Sequence, residues 1–184
     1  MIFDLPTSLD VNGAARDIDS DYRQVLRILQ AFEDPDLSDA EKAMVAIYNL
    51  YVDAEQIPAE DMQAAFDAAL SFIDCGGGQE QPGPRTMDWA QDAPIIFPAV
   101  NRAAGFEVRG VAYMHWWTFV GYFMEIRDST CATVLGLRQK KARGKKLEKF
   151  EKEFWQQNRG LCELKRRLTE AEREEDEYYR KLLG

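Results

Sequence analysis

Apolar side chains recur three and four positions apart through most of this chain, the spacing that gathers them on one face of an α-helix. Ser20 is placed to cap a first helix whose inward face carries Tyr22, Val25, Leu26, Leu29 and Phe32 and which ends near Asp34-Pro35. Ser38-Asp39-Ala40-Glu41 matches a capping box, in which hydroxyl and carboxylate each satisfy a free amide, and predicts a second helix to about Tyr51. Pro58 suits the first turn of a third helix burying Met62, Phe66, Ala69, Leu70 and Ile73, until Cys75-Gly76-Gly77-Gly78 stops it. Ahead of these, Asn12-Gly13 lies between two short runs and predicts a β-hairpin closed by a tight type I′ turn.

A stretch rich in Gly, Pro and Gln then breaks the periodicity, so a flexible connector is expected over 76–87, dividing segment 1–75 from segment 88–143. Asp88 can cap a helix to Ala104 with Gly105 as its left-handed stop, and Pro94 and Pro98 are expected to bend or split it. Tyr113, Trp116, Trp117, Val120, Phe123 and Met124 then give a helix apolar nearly all round, expected to be enclosed by protein. Successive helical residues point about 100° apart, so at most one of Trp116 and Trp117 can occupy the centre of a single core; the other is expected under the connector or at an interface. A shorter helix follows Ser129-Thr130 to about Arg138, and Gly144 marks a break.

Over 144–184 an amphipathic extension is expected. Leu147, Phe150, Phe154, Leu161, Leu164 and Leu168 open an imperfect heptad seam that continues through Ala171, Glu175, Tyr178 and Leu182. Gln157, Gly160 and Glu175 weaken it. Thr169-Glu170-Ala171-Glu172 can cap a fresh helix, so one long helix and a helical hairpin both remain open. The fold class is therefore all-α, mainly helical, with a small N-terminal β-hairpin, a helical body and this C-terminal extension.

Composition supports a folded chain: 46% of the 184 residues are hydrophobic, enough for a core and unlike a disordered sequence. The net charge of −9 conceals a polarity. Acids dominate residues 1–80, whereas Lys and Arg outnumber acids from 135 onward. That asymmetry suits docking to a charged protein surface or head-to-tail association, and the overall acidity speaks against nucleic acid. The apolar run from Gly110 to Met124 is shorter than the roughly 20 residues of a membrane span, so no membrane segment is expected. The N-terminus lacks the basic and apolar regions of a signal peptide.

Candidate chemistry is sparse. Cys75, Cys131 and Cys162 are three and scattered, which fits neither a disulfide framework nor a zinc site and suggests a reducing compartment. The lone His115 has no second histidine, cysteine or carboxylate at ligand spacing and is expected to be a core or rim imidazole hydrogen-bonded to backbone or a carboxylate. The acids of Asp17-Ile18-Asp19-Ser20-Asp21 and Glu33-Asp34-Pro35-Asp36 lack calcium-loop spacing and suit helix starts, where negative charge meets the positive end of the helix dipole. Gly76-Gly77-Gly78 lacks the downstream Gly-Lys-Ser/Thr of a phosphate loop. The basic run from Arg138 to Lys149 is expected to be a solvated junction or a contact to acidic protein rather than a phosphate track. These readings predict no catalytic, metal or cofactor residues, and a chain that acts by binding proteins, with a homo-oligomer among its options.

Segments across most of the chain resemble the gene-product-fifteen family of tailed-bacteriophage proteins. They are Phe3-Asp4-Leu5-Pro6-Thr7-Ser8, Asp19-Ser20-Asp21-Tyr22-Arg23-Gln24-Val25-Leu26-Arg27, Phe72-Ile73-Asp74-Cys75-Gly76, Gln91-Asp92-Ala93-Pro94 and His115-Trp116-Trp117-Thr118-Phe119, in that order. The resemblance implies a non-enzymatic role in tail morphogenesis in the bacterial host cytoplasm, as a chaperone of the tape-measure protein and other tail assembly proteins. A structural tail or head-tail component of the virion is the alternative, and a nucleic-acid-binding regulator is the second. The seam from Leu147 to Leu168 is the expected contact surface.

Overall fold

The computed structural model describes residues 4–77 and 83–183, so the middle of the expected connector, 78–82, lies outside the described residues. The chain opens with strands β1 (Ser8–Val11) and β2 (Ala14–Asp17), paired antiparallel with Val11 opposite Ala14. Between them Asn12 (φ 52°) and Gly13 (φ 87°) both take left-handed conformations, as a type I′ turn demands.

Helix α1 (Tyr22–Phe32) is capped by Asp21, not by Ser20. The Asp21 carboxylate accepts from the Arg23 amide at 2.9 Å and from the buried Met114 amide at 3.0 Å, while the Ser20 hydroxyl is bonded to the Tyr113 phenol at 2.7 Å. A carboxylate reaching two amides outcompetes a hydroxyl already engaged across the fold. Tyr22, Val25 and Ile28 form the fully buried face, with Leu26, Leu29 and Phe32 packed at its margin. Helix α2 (Asp39–Leu50) carries the expected capping box. A 3-10 turn at Ala59–Asp61 leads from Pro58 into helix α3 (Met62–Ile73), which buries Ala65, Ala69, Phe72 and Ile73.

Helix α4 (Trp89–Ala104) continues through Pro94 and Pro98, so of the expected bend or split the split does not occur, and the helix ends at Gly105 (φ 82°). Each proline frees one carbonyl, of Ala90 and of Pro94, and Ala90, Pro94 and Pro98 all lie on the exposed side, open to solvent. Helix α5 (Trp116–Met124) begins three residues after Tyr113 and is not enclosed as expected. Only Trp116 and Phe119 are buried; Gly121 and Met124 face solvent. Phe119 stacks on Tyr22 with centroids 4.5 Å apart and planes 6° apart, locking α5 onto α1.

Trp116 is buried and Trp117 half-buried, and the two share one task. Their indole N–H groups donate to the carbonyls of Ile73 (2.8 Å) and Phe72 (2.9 Å) in the last turn of α3, where Phe72 also accepts from the Cys75 amide at 3.0 Å. His115 is a buried imidazole bonded to backbone. Its Nδ1 accepts from the Trp117 amide at 3.1 Å as the cap of α5, and its Nε2–H donates to the carbonyl of Pro6 at 2.9 Å. One continuous core takes residues from β1 through α5 and reaches Cys131.

The remainder is not one helix. Helix α6 (Thr130–Ala142) ends before Gly144 (φ 69°), α7 (Lys149–Gln157) and the single turn α8 (Arg159–Cys162) follow, and α9 (Glu170–Leu183) starts anew. The Thr169 box starts α9: the Thr169 amide donates to Glu172 at 2.9 Å and the Glu172 amide to the Thr169 hydroxyl at 3.2 Å. No helix among the described residues is long and apolar enough to cross a membrane.

Candidate protein-docking groove

Dividing the C-terminal segment redistributes the expected seam. Leu147 and Phe154 are half-buried and pack with Trp155 and Ile95 against Val134, Leu137 and Cys162, a second, smaller core beneath α6. Leu164 and Leu168 are half-buried, Leu161 is exposed, and Phe150 projects into solvent at 65% exposure. Six residues read as one stripe thus serve different surfaces, because Gly144, Asn158 and the extended 163–168 stretch reset the helical phase.

The basic run is redistributed too. Arg138 turns inward and is 4% exposed. Its guanidinium grips Asp92 of α4 with two bonds of 2.6 and 2.9 Å, and donates to the carbonyls of Thr86 (3.2 Å), Leu161 and Cys162 (2.9 Å). All its N–H groups are thereby occupied by a planar fork that fits a carboxylate bidentately. Lys140 pairs with Glu151 of α7, and Lys141 lies 4.0 Å from the centroid of the Trp155 ring. Arg143 and Lys145 make no ion pair among the described residues.

These anchors hold α7 beside α6 and leave a groove of about 490 Å³ between them. Ala132, Gly136 and Leu137 form one wall, Phe150 and Phe154 the other, and Lys140, Arg143 and Lys145 line the rim. The opening exists because Ala132 and Gly136, four apart on one helical face, offer no bulk: a Cβ on Gly136 would meet nothing within 4 Å. An apolar trough edged by cations suits an amphipathic helix that carries apolar anchors and acids. Among the described residues, no group of three or more His, Cys, Asp or Glu is arranged to hold a metal ion. Burial pushes the Cys131 thiol up to about 11 and raises Cys162, which keeps both from being thiolates at neutral pH.

A second ionic cluster ties the extension to the body. Asp88 caps α4 through the amides of Ala90 (2.9 Å) and Gln91 (2.7 Å), and its other oxygen accepts from Arg167 at 2.9 Å and from Arg85; Arg167 also reaches Glu33. Burial pushes the Asp88 carboxyl upward, but the bond from Arg167, the Gln91 amide and the charges of Arg167 and Arg85 outweigh it and hold the group below its ordinary value. A carboxyl depressed in the fold binds fewer protons there than in the unfolded chain, so its stabilisation is complete above the ordinary carboxylate range and is lost as pH falls through the folded value. Asp88→Asn keeps a capping oxygen and removes the charge. The stability gap between native and variant, read by urea unfolding, is expected to be full at neutral pH and to narrow below about pH 4. A gap unchanged down to about pH 3 would refute this role.

Sequence reasoning missed the groove's wall and its keystone. Phe150 and Phe154 are legible as apolar positions, but Arg138 reads as part of a solvated basic run, Asp92 carries no sign of a partner 46 residues away, and Ala132 and Gly136 carry no patterning signal beyond their spacing of four. No curated protein and no solved structure matches the chain. A family model described as Bacteriophage Gp15 protein matches residues 1–164, which takes in the hairpin, the shared core and both walls of the groove and stops short of α9. The chain is a bacteriophage protein of the Gp15 family.

Proposed function

We propose that this phage protein is a non-enzymatic tail-assembly chaperone that holds the tape-measure protein in the host cytoplasm before the tail tube polymerises. The groove between α6 and α7 carries the reading: an elongated helical client offers repeated three-and-four-spaced apolar anchors, and the trough of Phe150, Phe154 and Ala132 accepts one such turn after another while Arg143 and Lys145 meet its acids. Membership of a phage family supports the setting. The placement of the basic run speaks against the nucleic-acid alternative, since Arg138 is buried against Asp92 and Lys140 is paired with Glu151.

Co-expression with the tape-measure protein is expected to yield a soluble complex, and mass spectrometry of purified particles is expected to lack the chain. Stoichiometric recovery in particles would instead make it a virion component and end the chaperone reading.

A further inference from the structure

Beyond its first turn, helix α9 packs against none of the described residues. From Arg173 to Leu182 every side chain of α9 is exposed, including Tyr178 at 62% and Leu182 at 62%. Ala171, Tyr178 and Leu182, with Glu175, share a face, and the helix carries six acids against three bases. Its first turn is pinned to the body, the Glu170 amide donating to Asp36 at 3.0 Å and Arg173 pairing with Asp36 at 3.1 Å. From that anchor α9 projects outward and does not fold onto its own groove. The matched family region ends at residue 164, ahead of α9.

We propose that in the free protein α9 of a second copy lies in the α6–α7 groove, each copy's helix filling the other's, until a client displaces it. The inference rests on that groove being the helix-docking site of the proposed function. Charge and length both fit. An acidic helix with an apolar face meets an apolar trough with the free cations Arg143 and Lys145 on its rim, and the 14 residues of α9 span about 21 Å against about 20 Å for the 13 of α6. The exchange is reciprocal, residue for residue, and therefore closes as a twofold dimer. Competition for one groove would keep it covered until the tape-measure protein is made.

Light scattering on the full chain tests this through charge reversal at exposed positions, which leaves the fold intact. The native protein is expected to run at twice the 21.1 kDa monomer mass and to dissociate as salt rises. Arg143→Glu with Lys145→Glu, and separately Glu174→Lys with Glu177→Lys, are each expected to give monomers. Mixing the two variants restores a complementary pair at both contacts and is expected to regenerate the dimer mass. A native chain that stays monomeric, a dimer that survives either reversal, or variants that fail to reassociate on mixing would overturn the proposal. The proposed client function is read separately, because the α9 variant retains its groove and should still bind the tape-measure protein.

Discussion

Arg138→Met is expected to destabilise the protein by roughly 3–5 kcal/mol, because it leaves the Asp92 carboxylate buried without its counter-charge. For a chain of this size that is a fall in Tm of about 10 °C, measurable by calorimetry or circular dichroism. Both partners are almost fully buried, so solvent neither screens the lost attraction nor relieves the stranded charge. The loss extends beyond the pair. Arg138 also satisfies the carbonyls of Thr86, Leu161 and Cys162, so hydrogen exchange should rise in α8 and in the start of α4 as well. Adding Asp92→Leu to the variant should recover part of the stability by removing the uncompensated charge, though the Asp88 amide then loses its 2.9 Å acceptor. A loss below about 1 kcal/mol would mean that the pair is not the keystone of the C-terminal segment.

Gly136→Trp is expected to leave the fold intact and abolish client binding. Gly136 is a helical residue of α6 that lines the groove, with nothing within 4 Å of where a Cβ would stand, so a side chain there starts into the groove and not into the body. Replacing an interior helical glycine also favours the helix by about 0.5–1 kcal/mol, so Tm should hold or rise. The indole would occupy the space between Phe150 and Ala132 that a client anchor needs. Losing such an anchor typically costs 2 kcal/mol or more, about a thirtyfold weakening at minimum, read by calorimetric titration with a tape-measure fragment. Undiminished affinity in a normally folded variant would place the client elsewhere. The outer face of α2, where Met44 and Tyr48 are exposed one turn apart, would be the next surface to vary.

What could be read from the sequence follows from how local each feature is. The Asn12-Gly13 turn, the Ser38 box, the Gly105 stop and the Thr169 box are set by neighbouring residues, and each appears where its side-chain chemistry puts it. The two prolines of α4 do not split the helix, because whether they do depends on which side of it they face, a tertiary fact. The apolar run of α5 implied enclosure on all sides; Trp116, Trp117, Phe119, Val120, Tyr122 and Phe123 do pack into or against the core, but Gly121 is exposed and Met124 is left at 69% exposure. Along 147–182 the periodicity belonged to three separate helices, so reading it as one seam merged a satellite core, an open groove and an unpartnered helix. The Arg138–Asp92 pair, 46 residues apart, had no local signature at all.

The groove as client site is tested most directly by placing a photo-crosslinking amino acid at Phe150, which is exposed and lines the trough, and irradiating the complex formed on co-expression with the tape-measure protein. Adducts from position 150 to helical tape-measure segments, lost when Gly136→Trp is present in the same chain, are the predicted result. A stable complex that gives no adduct from position 150, while a probe at Tyr48 of α2 crosslinks efficiently, would contradict it.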